Sequence, residues 1–428
     1  MAIQTIKHTD TPNPSVTSKP PVVAVLGHVD HGKTTLLDTI RKSSVASGEA
    51  GHITQKIGAY QVVVPVKGEQ KTLTFLDTPG HEAFAKIRSR GAGVADIAIL
   101  VVAVDDGVKP QTAESIKFIK EAGIPFVVAI NKMDLPHADP KKVQQELARY
   151  DVLVESLGGD VVTVPISAKT GDGIDALLEV ILLVSEMQEL HADPKAPLEA
   201  TVIEAKKEVG RGVVTTLIVK QGTLHTGDEI YCDGKLVKIR ALFDEFGVVL
   251  KEALPSRATE MLGFTDVPLV GASVTAKETE TVVVAGGDKP VAKTIEEMFL
   301  THMDDGVRLP VVVKADSIGS LEAVITNFPK EVMVVQQGIG DVTESDVFIA
   351  KESKSIILGF NIKVPGSVAR IAEHEGVRAK TYKIIYELLD EITEVMEILK
   401  HPDLLEEIVG RATIQAEFPF SDTRIAGS

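Results

Sequence analysis

Hydrophobic positions fall into rhythms that change along the chain. From residue 21 to about 190, short unbroken apolar runs alternate with longer segments in which apolar residues recur every three or four positions. The runs at 22–26, 72–76, 97–104, 126–130 and 161–166 predict strands covered on both faces. Segments 34–42, 112–121, 140–156 and 174–189 predict amphipathic helices between them. This alternation predicts a mostly parallel, doubly wound α/β sheet whose ligand loops lie at the carboxyl ends of its strands.

At 191–197 the pattern shifts, with two prolines. Short runs rich in Val, Ile and Thr follow, broken by glycine turns, at 199–204, 212–219, 229–232 and 236–241. They predict a β-barrel across 191–285. Residues 286–289 read as a linker. Across 290–383 the α/β alternation returns, with helices at 294–303, 318–327, 343–352 and 366–375 and strands at 310–315, 331–336, 355–360 and 378–383. A long amphipathic helix is expected over 384–408. Residues 412–420 alternate like a strand, and only eight residues follow. A lone strand has no partner for its backbone groups, so 411–428 reads as the start of a further, incomplete barrel. Residues 1–20, rich in Thr, Ser and Pro, read as a flexible leader.

Composition narrows the classes. A length of 428 residues predicts two to four domains. The longest apolar run is far short of the roughly 20 residues that a membrane span needs, and the N-terminus has no secretory pattern. A single cysteine, Cys232, excludes an intrachain disulfide and any cysteine-cluster metal site. These features predict a cytoplasmic monomer with no membrane partner. A net charge of −16 argues against non-specific nucleic-acid binding, though local basic faces can still meet a ribonucleoprotein.

The chemistry is concentrated in four loops. The first strand runs into Gly27, His28, Val29, Asp30, His31, Gly32, Lys33 and Thr34, followed by Thr35 and a helix. This is the G-x-x-x-x-G-K-[ST] phosphate loop in its strand–loop–helix setting. Backbone N–H groups and the helix dipole favour phosphate there. Lys33 is expected to reach the β- and γ-phosphates, and Thr34 to place its hydroxyl on Mg²⁺. The second strand delivers Asp77, Thr78, Pro79 and Gly80. Asp77 suits a hold on Mg²⁺ through water, and Gly80 allows a close backbone approach to a γ-phosphate. His81 follows and can orient the attacking water. The intervening Thr54 could give a second hydroxyl to Mg²⁺, but spacing alone does not separate it from other loop threonines.

The strand at 126–130 ends at Asn131, Lys132, Met133 and Asp134. A carboxylate at 134 accepts both N–H donors of guanine, a pair that adenine lacks. Asn131 would bond the purine and pin a neighbouring loop, while the Lys132 stem packs on the base. The strand at 161–166 ends at Ser167, Ala168 and Lys169, where a backbone N–H could meet guanine O6. Four loops in this order predict a GTPase that binds GTP and GDP with Mg²⁺.

The run GHVDHGKT with the later DTPGH resembles the translational GTPases. Nearer still, GHVDHGKTTLLD, ITQKIGAY, FLDTPGHEAF, RSRGAGVADIAILVVAVDDGVKPQT, KADSIGSLEAV, GIGDVTESDVFIA and GFNIKV resemble the bacterial translation initiation factor 2 family. The resemblance implies a ribosome-stimulated GTPase that acts with the 30S and 50S subunits during initiation-complex assembly and subunit joining. It implies that His81 is the catalytic histidine, that Val29 and Ile53 gate it, that Thr54 binds Mg²⁺, and that Asp30 helps hold a structural monovalent cation. Where the family has adjacent glycines, this chain has Gly51 and His52. The family ends in a barrel that binds initiator tRNA; this sequence stops early in that region, so tRNA binding is expected only of a full-length form.

Two other function classes compete. One is a GTP-dependent switch in ribosome assembly, disfavoured by a catalytic histidine at 81. The other is an elongation-type tRNA carrier, disfavoured by an α/β segment where such carriers have a second barrel. Lys86, Arg88 and Arg90 fit either contact with ribosomal RNA or a solvated helix face.

Overall fold

The structure, a computed structural model, describes residues 16–41, 58–66, 68–80, 82–277, 308–400, 416–420 and 423–427. Its first domain is built on a six-stranded sheet. The elements run β1 (Thr17–Ser18), β2 (Val22–Gly27), α1 (Lys33–Arg41), β3 (Gly58–Val66), β4 (Glu69–Asp77), α2 (Ala85–Val94), β5 (Ile97–Ala103) and α3 (Pro110–Ala122). They continue with β6 (Phe126–Asn131), α4 (Pro140–Ala148), β7 (Thr163–Pro165), α5 (Ile174–Met187) and β8 (His191–Ala192). The sheet order is β3-β4-β2-β5-β6-β7. All neighbours are parallel except β3, which pairs antiparallel with β4.

The unbroken apolar runs have a simple cause. Successive side chains of β2 point to opposite faces, and both faces are covered. Val23 and Val25 pack with Leu36, Leu177 and Ile181 on one side. Val22, Ala24 and Leu26 pack with Ile116, Ile119 and Leu147 on the other. From β2 the chain crosses to β4 on one side and to β5 on the other, and the crevice at that reversal faces the carboxyl ends of the strands.

Three local features differ from the sequence reading. Strand β3 was not expected; its Pro65 weakens a strand reading, yet an edge strand tolerates proline. The helix expected over 140–156 stops at Ala148. Asp151 takes a left-handed φ of 57°, and Val152 N donates to Leu147 O, which closes the helix end as a Schellman turn. Within the expected leader, Thr17 and Ser18 pair with Ala192 and His191, and Lys19 binds Asp96 at 2.8 Å.

The second domain is an antiparallel barrel. Its strands run in the order Lys235–Lys238, Glu229–Cys232, Ser273–Thr275, Glu199–Glu208, Gly212–Gln221, Ala258–Leu262, Ala241–Phe243 and Val249–Leu250. Leu217, Ile230, Met261 and Cys232 fill its core. It meets the first domain where Thr74 Oγ1 donates to Ser256 O at 2.6 Å and Gln61 N to Glu245 Oε1 at 2.9 Å.

The third domain is a four-stranded parallel sheet, not the second barrel of an elongation-type carrier. Its helix Ile318–Thr326 starts at Ser317, whose side chain accepts from Ser320 N. Glu204 of the barrel is almost fully buried beside that helix start. Thr343 and Asp346 form a capping box at the next helix, so the acidic residues there serve the helix end. Phe84 and Ile87 of the first domain pack into this domain's core with Leu321 and Val324. The last helix is Ile385–Lys400. The expected helix at 294–303 and the stretch 401–408 lie outside the described residues. Near the end, Ala416–Phe420 pairs antiparallel with Thr423–Gly427. The strand expected to be partnerless therefore forms a hairpin with the few residues after it.

Candidate nucleotide-binding site

Three of the predicted loops are tied directly to one another. Gly27 opens the phosphate loop with φ 144°, and a Cβ there would collide with Val101 O. Gly32 has φ 86°, with its open side against the Asn131 amide. Between them Asp30 takes φ 60°. Only residues tolerant of the left-handed region suit this wrap. Lys33 begins α1 and is buried, and its Nζ donates to His28 O at 2.7 Å. Burial lowers the Lys33 ammonium to about 8, with Asp77 pulling the other way.

Asp77 ends β4, largely buried. Thr78 Oγ1 donates to Val25 O at 2.7 Å, fastening the turn to β2. A Cβ on Gly80 would strike Lys33 Nζ and come within 2.9 Å of Val29 N. The second loop thus lies against the first at a spacing that only glycine permits.

Asn131 joins the remaining two. Its Nδ2 donates to His31 O at 2.8 Å, and its Oδ1 accepts from Ala168 N at 2.9 Å. Ser167 Oγ donates to Asp134 Oδ1 at 2.8 Å, which holds the exposed Asp134 carboxyl below its usual range. Lys132, at φ 66°, reaches Asp105 at 3.2 Å. Thr39 Oγ1 donates to Ala168 O at 2.6 Å, a second tie between α1 and the last loop.

The histidines of the phosphate loop differ in setting. His31 is fully buried; burial, with His28 adding, lowers it to about 4, so it is neutral near pH 7. His28 is partly buried and is lowered by burial, partly opposed by the neighbouring Gln111 amide. Gln111 Oε1 also accepts from Val29 N at 3.1 Å.

Donor chemistry in this crevice suits the expected ligands. Thr34 and Asp77 offer hard oxygen donors of the kind Mg²⁺ takes. A desolvated ammonium and a bare glycine backbone suit a phosphate, and an exposed carboxylate held by Ser167 suits an N–H pair. His81 and Thr54, expected at the reacting end, lie outside the described residues, as do Ile53 and His52.

The segment 86–90 departs from both sequence readings. Arg88 is fully buried, donates to Pro79 O at 3.2 Å and is ion-paired with Glu114. It braces the Asp77–Gly80 turn from behind and cannot touch RNA. Arg90 is held by Glu322 of the third domain at 2.7 and 3.1 Å. Lys86 alone of the three is exposed. Neither Arg88 nor Gln111 had a sequence signal, because each acts across elements that only the fold brings together.

Comparison with known proteins matches each domain in turn. The profile of the elongation factor Tu GTP binding domain matches residues 19–186, that of elongation factor G domain 2 matches 197–277, and that of translation-initiation factor 2 matches 287–393. Translation initiation factor IF-2 of Clostridium perfringens is 44% identical over 98% of this chain and 64% of its own length. The same factor of Persephonella marina is 45% identical over 94% of this chain and 47% of its own length. The chain therefore spans less than two thirds of these relatives. Among solved structures, GDP-bound aIF5B from Aeropyrum pernix is 29% identical, covers 90% of this chain and 76% of its own, and has a TM-score of 0.51. A bacterial selenocysteine-specific elongation factor, EF-Sec, is 27% identical over 60% of this chain and 45% of its own, with a TM-score of 0.50.

Proposed function

Starting from the fact that the chain belongs to the translation initiation factor 2 family, we propose that it binds GTP and GDP with Mg²⁺, hydrolyses GTP, and works on the ribosome during initiation. The observation that carries this reading is Asn131. It fastens the phosphate loop to the loop after β7 through His31 O and Ala168 N, so that the phosphate end and the base end form one crevice.

In this reading Lys33 leaves His28 O for the β- and γ-phosphates. The N–H groups of the loop and of Gly80 receive the phosphate oxygens. Asp134, held by Ser167, selects guanine, and Ala168 N stays engaged by Asn131. Thr34, with Thr54 and with Asp77 through water, would hold Mg²⁺, which would supply neutralisation of the phosphate charge. His81 orients water for in-line attack on the γ-phosphate. Ribosome docking supplies its alignment, which makes hydrolysis slow alone and fast on 70S particles.

The test is GTP turnover by wild type and His81→Ala, each with and without ribosomes, with binding of a fluorescent GDP analogue as a control. Ribosome stimulation that disappears in His81→Ala while GDP binding persists is the expected result. Equal stimulation in both proteins would remove His81 from the chemistry. Absence of guanine nucleotide binding would overturn the whole reading.

A further inference from the structure

His31 presents a problem that phosphate binding does not solve. Its Nδ1 lies 3.3 Å from Val101 O. A carbonyl only accepts, so Nδ1 carries the hydrogen and Nε2 carries a lone pair. That Nε2 is buried without a hydrogen-bond partner, and the atom it faces is Asp106 Oδ2 at 3.5 Å. A lone pair aimed at a carboxylate oxygen is unfavourable unless a cation lies between them.

His28 completes the arrangement. Its ring is edge-on to His31 with centroids 5.0 Å apart, and its Nδ1 is likewise buried without a hydrogen-bond partner. One donor atom from each of His28, His31 and Asp106 lies within 4.8 Å of the others, and no second group of this kind occurs among the described residues. Lys109 holds Asp106 Oδ1 at 2.8 Å, which orients the carboxylate and leaves Oδ2 toward the rings.

We propose that His28, His31 and Asp106 form a binding site for a divalent transition cation of the Zn²⁺ class, with three protein ligands and one open position. Two imidazole nitrogens and one carboxylate oxygen match such a cation, whereas an all-oxygen set would suit Mg²⁺. The donors must close by up to about 1.5 Å to reach tetrahedral contact. His28 and Asp106 can supply that movement, since neither is fully buried. The site is separate from the Thr34 and Asp77 oxygens and does not depend on the reading of those residues.

Occupancy has a consequence for the neighbouring loop. His28 O is the acceptor for Lys33 Nζ. A cation that fixes His28 also fixes this arrangement of the loop, and so slows nucleotide entry.

Co²⁺ is the probe, added to the full nucleotide-free chain and read by the visible absorption of tetrahedral cobalt. One equivalent is expected to saturate the bands, and Zn²⁺ to displace them. Asp106→Asn and His28→Gln, checked for folding by circular dichroism, are expected to weaken binding at least about tenfold. Absence of the bands in wild type, or unchanged bands in both variants, overturns the site. Association of a fluorescent GDP analogue is expected to slow with Zn²⁺ in wild type and not in Asp106→Asn. Cobalt binding with unchanged association supports the site and overturns the coupling.

Discussion

Replacing Asn131 with alanine removes two hydrogen bonds at once. The side chain is 2% exposed and bonds only backbone, donating to His31 O at 2.8 Å and accepting from Ala168 N at 2.9 Å. Alanine leaves both of those groups without a partner, at about 1–3 kcal/mol each. The loops border an open crevice, so entering water offsets part of this, and the expected loss is about 3 kcal/mol. The chain has no tryptophan, so urea unfolding is followed by far-UV circular dichroism. The first-domain transition should move to lower urea by about 1–2 M with unchanged slope. Hydrogen exchange gives a sharper reading, because the Ala168 amide should lose protection by about two orders of magnitude. Asn131→Asp keeps the acceptor for Ala168 but sets a charge against the His31 carbonyl. It should therefore retain Ala168 protection while losing guanine nucleotide affinity. A shift below about 0.5 kcal/mol in Asn131→Ala, with Ala168 exchange unchanged, would refute the claim that this side chain holds the loops together.

Glu204 makes stability depend on pH. Burial raises its carboxyl to about 7, partly opposed by the Ala205 and Gly319 amides and Ser317, and pushed further by Asp316. A folded-state value above the unfolded one means that the native protein holds the extra proton. The associated stability is present below about pH 4.5 and is lost as pH rises through about 7. Glu204→Gln should therefore gain on wild type between pH 5 and 8, by on the order of 3 kcal/mol, and parallel melting curves across that range would contradict this. Arg88→Ala leaves Glu114 and Pro79 O without their partner, at about 3 kcal/mol given that Glu114 is partly solvated. Arg88→Lys should recover little, because an ammonium cannot span both contacts; full recovery in a thermal melt would count against the brace.

The parts most legible in the sequence were those whose chemistry is local. A phosphate loop must follow a strand, wrap on glycines and open a helix, and residues 22–41 state all of this in order. The unbroken apolar runs announced strands covered on both faces, as β2 is. What stayed hidden depended on distance. Arg88 reads like its neighbours Lys86 and Arg90, and only the approach of α3 makes it a buried brace with Glu114. Strand β3 exists because β4 offers it a partner across nine register pairs, which no local preference in a segment with Pro65 reveals. The end of α4 turns on Asp151 taking a left-handed conformation, a choice that its neighbours make for it. Asn131 was expected to pin a neighbouring loop; that it pins two, from opposite sides, comes only from the fold.

The pairing of Thr17–Ser18 with His191–Ala192 gives the first domain a particular load path. Its entering and leaving strands run antiparallel side by side, so tension between residue 16 and the barrel would peel the two apart from one end. The bonds would then break in succession, Thr17–Ser18 first and Lys19 with Leu190 O and Asp96 after them. Peeling needs far less force than shearing β2 out from between β4 and β5. The clasp would act as a mechanical fuse, yielding before the nucleotide crevice is strained.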